Sequence, residues 1–341
     1  MILLTPGPCM TSEAVRQAAA SEDLNHRDPA FLELMGEIRG HLRDLSGGMI
    51  PTLISGSGSM AMEAMATSLV VRGPVLILAD GYYSERMSEI FSLHGIAAKV
   101  LNFGWLEGWD FAPVKSALDE QSYEWVVACH HETTTGRLNP VGDLAEIVHQ
   151  AGAKLMVDAM SSLGADEVPF AQLDAVVASA NKCLHGLPGV GFVLTRAPVP
   201  TLDHPRTYTL DLSRYQGELP PMTAPVPTLR AFRQALREFV ERGGQPGRHC
   251  EYSKKKQVML DGLRGKGYPI ALSESEQSVA LIMAGLPKPY PEWFRENYER
   301  GFVIYGCKGD LADRFFQISP MGESTIEMME AWVESLPPFA S

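Results

Sequence analysis

The sequence predicts an α/β fold built on an open sheet, with a second, smaller α/β unit towards the C-terminus. The first indication is a set of short apolar runs, four or five residues long and bounded by Gly, Pro, Asp or Ser, as buried strands usually are. Three of these runs lie in one stretch, at 154–157, 175–178 and 190–194. The second indication is that helix-like segments separate most of the other runs, and strands that alternate with helices favour an α/β arrangement.

The first 150 residues contain the following elements. The opening segment, 3–8, holds too much Pro and Gly for a regular element. A helix begins at Thr11 or Ser12, either of which can cap it, and a second helix runs through Phe31 to Leu45. Then come a strand at 51–54, a helix at 60–70, strands at 75–79 and 125–129, and a helix that opens at Asn139-Pro140.

The C-terminal part has a different pattern. Residues 197–227 carry many prolines and little periodicity, and helices at 229–240 and about 246–263 follow. Strands at 279–283, 303–305 and 315–318 then alternate with helices near 291–300 and 323–336. We therefore predict a large domain over residues 13–240 and a small α/β domain over residues 241–341, which residues 1–12 join.

The composition is that of an ordinary globular protein, with 45% hydrophobic and 21% charged residues in a chain of 341. The net charge of −12 argues against nucleic acid or anionic membranes as partners, although a local pocket can still bind a phosphate. No apolar run approaches the length of a membrane span, and the N-terminus lacks the features of a secretory signal, so we expect a cytoplasmic protein. The five cysteines are scattered and fit reduced thiols better than disulfides or a zinc site.

Two polar residues stand at the ends of predicted strands. Asp158 ends the first of the three clustered runs, and Lys182 follows the second. Ligands of open α/β sheets bind beyond the carboxyl ends of the strands, so this acid and this lysine can face one ligand. A pyridoxal phosphate enzyme needs such a pair, because a lysine binds the cofactor and a carboxylate keeps its ring nitrogen protonated. Alone, however, such an Asp more often caps a turn and such a Lys is more often solvated.

A Gly/Ser loop supplies a second part of the same site. Residues 55–59 read SGSGS and lie between a predicted strand and a predicted helix. Such a loop offers free backbone N–H groups, hydroxyls and the positive end of the helix dipole, which together bind phosphate. Linkers have the same composition, so it is the position of the loop between strand and helix, and not its composition, that predicts a phosphate site.

These motifs resemble one known family. The segments VDAMSS, from Val157, and SANKCLHGLPGVGFVLTR, from Ser179, are similar to the class V aminotransferases of pyridoxal phosphate fold type I. The resemblance extends from the TPGP segment at Thr5 to the C-terminal helix. Within that class the 2-aminoethylphosphonate–pyruvate aminotransferases look nearest, and the alanine–glyoxylate and serine–pyruvate aminotransferases look more distant. The resemblance implies a large, mostly parallel, seven-stranded sheet domain and a smaller α/β C-terminal domain.

The resemblance also implies roles for individual residues. Lys182 would carry the cofactor and act as the catalytic acid and base, and Asp158 would hold the ring nitrogen. The remaining cofactor-binding positions are Ser57, Gly58 and Ser59 at the phosphate, Tyr83 on the ring face, Thr133 through its hydroxyl, Met160, and Asn181. The alternative at the ring face is that Tyr82 takes the pocket, or that both tyrosines only pack.

Two implications concern other partners of the site. Thr223 matches a threonine that reaches the phosphate of the partner subunit, which implies a homodimer with shared active sites. The His130-His131-Glu132 run invites a metal interpretation, but adjacent residues on an extended segment point to opposite sides. We therefore predict no metal.

The substrate side departs from the resembling family. There, Pro6 and Gly7 run past the substrate, and an arginine on the strand at 315–318 grips the substrate's acidic group, but here that position is Gln317. A neutral amide cannot replace a charged, bidentate clamp at equal strength. Arg27, in the loop at 25–29, is our first candidate for a compensating cation. Arg314 is second, because it lies three residues from Gln317 and so on the opposite face of the strand.

The main hypothesis is an aminotransferase that moves an amino group between a small amine, such as 2-aminoethylphosphonate, and pyruvate or another 2-oxo acid. That substrate would place the enzyme in phosphonate metabolism. The alternatives on the same scaffold are an alanine- or serine–glyoxylate aminotransferase and a pyridoxal phosphate lyase or decarboxylase. A protein that binds the cofactor without turnover is a further alternative, which the retention of Lys182, Asp158 and the loop at Ser57 disfavours.

Overall fold

A computed structural model describes residues 1–339 of the chain. The predicted small domain ends at residue 341, and its last two residues lie outside the described part. Among the helices of residues 1–339, none is both long enough and apolar enough to cross a bilayer.

Helices and strands alternate along most of the chain. The α-helices, in chain order, are α1 (Glu13–Ala19), α2 (Pro29–Leu45), α3 (Gly58–Leu69), α4 (Tyr82–Leu93), α5 (Phe111–Glu120), α6 (Val141–Gln150), α7 (Val226–Glu241), α8 (Gly244–Gly265), α9 (Tyr290–Glu299) and α10 (Ile326–Ser335). The strands are β1 (Ile2–Leu3), β2 (Ile50–Ser55), β3 (Val75–Ala79), β4 (Ala98–Asn102), β5 (Trp125–Cys129), β6 (His131–Glu132), β7 (Arg137–Leu138), β8 (Lys154–Asp158), β9 (Ala175–Ser179), β10 (Val190–Thr195), β11 (Ile282–Gly285), β12 (Phe302–Val303), β13 (Tyr305–Gly306) and β14 (Phe315–Ile318).

A seven-stranded sheet forms the centre of the molecule, in the order β2-β10-β9-β8-β5-β3-β4. Strand β10 is antiparallel to both of its neighbours, and every other pair in the sheet is parallel. The predicted α/β class with a mostly parallel, seven-stranded sheet is therefore confirmed. Because the carboxyl ends of β3, β5, β8 and β9 lie at the same edge, the residues that follow these strands gather there.

Both faces of this sheet are covered, which explains why its central strands are apolar throughout rather than alternating. Successive residues of β3 belong to different cores, since Leu76 packs with helices α2, α5, α6 and α7, whereas Ile77 packs with α3 and α4. Strand β4 is the exception, because it lies at the edge and is mostly exposed. Its exposure is the reason why the sequence, which has no apolar run there, does not predict it.

A smaller antiparallel sheet, β11-β14-β13, lies in the C-terminal part of the chain. Its core contains Trp293 and Trp332 together with residues of α8. The N-terminal strand β1 pairs in parallel with β12, so the first residues of the chain belong to this region in space. The strand predicted at 279–283 begins only at Ile282, because its partner strand β14 ends at Ile318, opposite that residue.

Two helices beside the central sheet, α4 and α5, are also absent from the sequence-based prediction. Residues 80–86 look like a loop after β3, yet α4 begins at Tyr82. Its first turn contains polar and aromatic residues without a regular apolar stripe, and only Ser84, Met87 and Phe91 are buried. The structure therefore places Tyr83 on a helix rather than in a loop.

Candidate active site

A cavity of about 530 Å³ opens at the carboxyl edge of the central sheet. Its walls come from the ends of β5, β8 and β9, from the start of α3 and from the first turn of α4. The lining residues that the sequence also predicts are Ser57, Gly58, Ser59, Tyr83, Thr133, Asp158, Met160, Asn181 and Lys182. Residues that are distant in sequence therefore meet in one place because the strands end together.

Lys182 reaches into the cavity from the loop after β9. Its Nζ donates a hydrogen bond to the carbonyl oxygen of Pro6, 2.6 Å away. Gly7 lies against the same side chain, since a Cβ atom at position 7 would be 2.6 Å from Lys182 Cδ, and the φ of Gly7 is +112°. Burial lowers the pKa of Lys182, which favours the neutral amine that can attack a carbonyl group.

Asp158 is the last residue of β8, and its side chain is buried. Its Oδ1 accepts a hydrogen bond from the backbone N–H of Met160, at 2.8 Å. Burial raises the pKa of Asp158 to about 6, while the Met160 N–H and the nearby charge of Arg86 act in the opposite direction. A cationic group in the cavity would therefore be stabilised by this carboxylate, and would in turn keep it ionised.

The Gly/Ser loop forms the N-terminus of α3. Ser57 is the N-cap residue, and its Oγ accepts a hydrogen bond from the N–H of Met60 at 3.3 Å. Gly58 approaches the opposite wall, because a Cβ there would clash with Met160 Sδ. Since α3 is twelve residues long and its first turn lines the cavity, its dipole and free N–H groups favour an anion at this end.

Tyr83 and Arg86 enter the cavity from one face of α4, one helical turn apart. Tyr82 is 41% exposed, and its ring stands perpendicular to that of Tyr83, so Tyr83 is the tyrosine at the cavity. The guanidinium carbon of Arg86 lies 4.9 Å from the centre of the Tyr83 ring. Within residues 1–339, Arg86 forms no ion pair, and its buried Nε has no hydrogen-bond partner. The sequence does not predict Arg86 as a cavity residue, because its spacing of three from Tyr83 is informative only once the helix α4 is known.

The start of α4 is anchored by the turn that carries Thr133. The carboxylate of the buried Glu132 accepts hydrogen bonds from the N–H groups of Tyr83, at 3.4 Å, and Ser84, at 3.0 Å. An acid at a helix N-terminus satisfies free N–H groups and complements the helix dipole. Burial and the adjacent Glu132 raise the pKa of Asp80, just before this helix, to about 7.

The two adjacent histidines point to separate backbone and side-chain partners. His130 Nδ1 lies 3.0 Å from Ser162 Oγ, and His131 Nδ1 lies 3.2 Å from the carbonyl oxygen of Ser161. Burial lowers the pKa of His130 to about 4 and that of His131 to about 3, so both rings are neutral at pH 7. Over the described part of the chain, no three or more His, Cys, Asp or Glu side chains are grouped so that they could hold a metal ion.

Five residues predicted from the sequence are not among those that line the cavity within residues 1–339. Arg27 is exposed in the loop before α2, and Thr223 is exposed just before α7. Gln317 is buried, but its side-chain nitrogen donates to the carbonyl oxygens of Thr133 and Thr134. Pro6 and Gly7, in contrast, lie directly against Lys182.

Comparison with known proteins gives concordant results. A family model described as aminotransferase class-V matches residues 17–205. The 2-aminoethylphosphonate–pyruvate transaminase of Salmonella heidelberg (strain SL476) is 33% identical to the chain, over 94% of this chain and 93% of that protein. The crystal structure of an alanine–glyoxylate aminotransferase from Nostoc sp. aligns with a TM-score of 0.89 and 25% identity, over 98% of this chain and 93% of that one. An aspartate aminotransferase of subgroup IV from Thermus thermophilus aligns with a TM-score of 0.87 and 26% identity, over 98% and 99%.

Proposed function

Since this chain belongs to the class-V aminotransferase family, and is therefore an aminotransferase, we propose that it uses pyridoxal phosphate to move an amino group between a small amine and a 2-oxo acid. The observation that carries this proposal is the meeting of Lys182, Asp158 and the N-terminus of α3 in one cavity. An amine, a carboxylate and an anion site are the three features that the cofactor requires of a protein.

The residues of the cavity fit this cofactor. Its phosphate would lie against Ser57, Gly58 and Ser59, where the absence of a Cβ at Gly58 lets the Met160 side chain pack against the loop. Its ring nitrogen would face Asp158, and its ring would stack on Tyr83, which is worth about 0.5–1.5 kcal/mol beyond the area buried. Thr133, Met160 and Asn181 would complete the contacts from the remaining walls.

The chain's own groups then perform the proton transfers. Bound pyridoxal phosphate supplies an electron sink for the substrate carbon that carries the amino group. Lys182 would remove the proton from that carbon and deliver it to a carbon atom of the cofactor. Its lowered pKa is suitable for this role. The Pro6 carbonyl orients Nζ, and the ionised Asp158 keeps the positive charge of the ring nitrogen in place.

We propose a small acidic amine of the 2-aminoethylphosphonate type as donor, pyruvate or a similar 2-oxo acid as acceptor, and therefore a place in phosphonate metabolism. The name of the Salmonella relative supports this choice, because the identity of 33% extends over nearly both whole chains. The likeness to the Nostoc enzyme supports a second candidate, an amino acid–glyoxylate aminotransferase. Position 317 does not decide between them, since Gln317 offers no charge to either substrate.

We further propose that two copies of the chain share their active sites. In the single chain, Ser57 and Met60 of the phosphate end are exposed, and so is Thr223. A second copy that brings Thr223 to this end would cover those residues and add a hydroxyl donor to the phosphate. We also propose the domain division at residues 240 and 241, with residues 1–12 on the side of the small domain, and a cytoplasmic location.

The experiment that tests the main proposal is cofactor mapping combined with half-reactions. The purified protein should be yellow, and borohydride should fix the cofactor to Lys182 in a peptide map, whereas an adduct on another lysine contradicts the assignment. 2-Aminoethylphosphonate, alanine and serine are then added separately, and conversion of the cofactor to its amine form is followed by absorbance. Conversion identifies the donor, while loss of carbon dioxide or another fragment without conversion supports a lyase. The molecular mass of the protein in solution, measured over a series of dilutions, tests the proposed dimer.

A further inference from the structure

We propose that Gln317 is a positioning residue, which ties the small sheet to the Thr133 wall of the active site, and that position 317 does not grip the substrate in this chain. The inference rests on the proposed function, because it concerns the wall of the same cavity. It assigns Gln317 a role different from the one that the resembling family suggests for this position.

The protein uses both hydrogen-bond donors of the Gln317 amide. The residue lies in β14, the middle strand of the small sheet, directly opposite Met283 and Tyr305. Its side chain is only 3% exposed. The Nε2 group has two hydrogens, and it donates to the carbonyl oxygens of Thr133 and Thr134, the latter at 2.9 Å. Both donors are thus used, so none remains for the anionic group of a ligand.

The turn that Gln317 binds is itself a connected unit. The backbone N–H of Thr134 donates to Glu132 Oε1 at 2.9 Å, and the Thr134 hydroxyl donates to the same oxygen at 2.6 Å. All three residues from Glu132 to Thr134 are buried. Because Thr134 is bonded to Glu132 through both its N–H and its hydroxyl, a movement of the Thr133 and Thr134 carbonyls would be passed on to Glu132.

The same unit holds the start of α4. The N–H of Tyr82 donates to Thr134 Oγ1 at 3.0 Å, and the N–H of Ser84 donates to Glu132 Oε2 at 3.0 Å. Tyr83 lies between these two anchored residues. A continuous series of hydrogen bonds therefore runs from Gln317, in the small sheet, to the helix that presents the ring of Tyr83 to the cavity.

The consequence for specificity is that the charge at this wall comes from elsewhere. Among the cavity-lining residues of the described chain, Lys182 and Arg86 are the basic ones, and because burial lowers the pKa of Lys182, whose amine would bind the cofactor, Arg86 is the source of positive charge for a substrate. Substitution of Gln317 should therefore change the KM of a substrate with an acidic group and that of a substrate without one by the same factor. The reason is that the amide contacts the Thr133 turn and not the ligand.

The test compares three variants in the full-length protein. Gln317→Met keeps the volume but removes both donors, and Gln317→Glu replaces the donors by a carboxylate that faces two carbonyls. Gln277→Met is the matched control, because Gln277 is also buried and also donates from Nε2 to one backbone carbonyl, that of Leu272, away from the cavity. Apoprotein is titrated with pyridoxal phosphate, and the circular dichroism of the bound cofactor is recorded.

We expect Gln317→Met to weaken binding of pyridoxal phosphate by about tenfold and to change the dichroism of the bound cofactor, whereas Gln277→Met should keep the parent values. The effect of Gln317→Glu should shrink as the pH falls, because a protonated carboxyl group can donate to one carbonyl. KM values for 2-aminoethylphosphonate and for ethylamine should shift by the same factor. Unchanged cofactor binding together with a higher KM for 2-aminoethylphosphonate alone would overturn the inference.

A readout without cofactor separates this inference from the proposed function. Hydrogen exchange of the apoprotein is measured in the peptides that cover residues 80–86 and 130–135, which exclude Arg137, the backbone partner of the control position Gln277. Faster exchange of both segments in Gln317→Met and Gln317→Glu, but not in Gln277→Met, supports the positioning role of Gln317. This holds even if the parent protein fails to bind pyridoxal phosphate. Exchange equal to that of the parent protein contradicts it, whatever the cofactor result.

Discussion

The residues that the sequence predicts for the active site fall into two groups, which the structure places differently. The strand-end group, Asp158, Lys182 and Ser57, lies where elements of the central sheet begin or end, and the structure brings it to one cavity. The distal group, Arg27, Thr223 and Gln317, comes from loops or from the small sheet, and it lies outside that cavity lining in residues 1–339. The difference shows that residues at the ends of parallel strands meet at one edge of the sheet, whereas the sheet does not set where residues of the loops and of the small sheet lie.

The largest expected effect lies in the strand-end group. Asp158→Asn should lower turnover about 10²–10³-fold, because the charge that stabilises the ring nitrogen is lost while the shape remains. Steady-state kinetics with saturating cofactor measures this. Asp119→Asn, at an exposed position on α5, is the control and should match the parent protein.

Asp158→Asn should also change how the stability of the apoprotein depends on pH. Since burial raises the pKa of Asp158 to about 6, the folded apoprotein holds a proton that the unfolded chain releases near pH 4. As the pH rises from about 4 to 6, the free energy of unfolding therefore falls by up to about 3 kcal/mol because of this carboxyl group. Asp158→Asn should lack this part of the decrease. Identical pH dependence in the two apoproteins would contradict the raised pKa.

A smaller effect is expected where the N-terminal segment covers the strand-end group. Gly7→Ala places a methyl group 2.6 Å from Lys182 Cδ at a φ of +112°, and a displacement of the lysine should lower turnover about a hundredfold. Gly48→Ala is the matched control, because Gly48 has a φ of +100° but no atom within 4 Å of the position that a Cβ would take. If both variants lose the same activity, backbone strain alone is responsible.

Arg86 belongs to neither group, and it tests whether charge or shape matters at the wall. Its charge acts to lower the pKa of Asp158, so Arg86→Gln should shift the acid limb of the pH–rate profile upwards and reduce turnover about tenfold near pH 6. Arg86→Lys retains the charge and should retain the position of that limb. A profile that is unchanged in Arg86→Gln would show that the two groups do not interact.

The smallest effect is expected for the distal group. Arg27 is exposed, and its backbone N–H, which alanine keeps, donates to the side-chain oxygen of Asn25 at 2.9 Å, so Arg27→Ala should change KM by no more than about twofold. If Arg27 were instead the compensating cation that the sequence analysis suggests, loss of its charged hydrogen bond to the substrate would raise KM by about ten- to a hundredfold. A rise of that size would mean that a second copy or a closing movement brings Arg27 to the ligand.

The parts of this structure that the sequence predicts are those with local patterns. The buried strands that end at Ala79, Cys129 and Ile318 follow from runs of apolar residues, and the N-cap at Ser12 follows from its side chain. The pairing of Asp158 with Lys182 follows because parallel strands end at one edge. In each case, a few neighbouring residues contain the necessary information.

The remaining features arise from contacts that no local pattern records. The role of Glu132 as the anchor of α4 depends on a helix that lies 48 residues earlier in the chain, and the bond from Gln317 to Thr133 joins residues 184 apart. The position of Arg86 follows from the existence of α4, which lacks an apolar stripe strong enough to predict. Long-range polar contacts therefore limit what the sequence alone reveals about this site.

The pairing of the first strand with a late one has a consequence for synthesis. Ile2 and Leu3 pair with Phe302 and Val303, and this pairing holds the segment that delivers the Pro6 carbonyl to Lys182. The last strand of the central sheet ends at Thr195, so about a hundred further residues must be translated before the N-terminal segment can dock. At about 5–20 residues per second, that interval lasts about 5–20 s. During it, all strands of the central sheet have been synthesised while the strand that pairs with β1 has not, so the N-terminus, although made first, is among the last parts that can take their place.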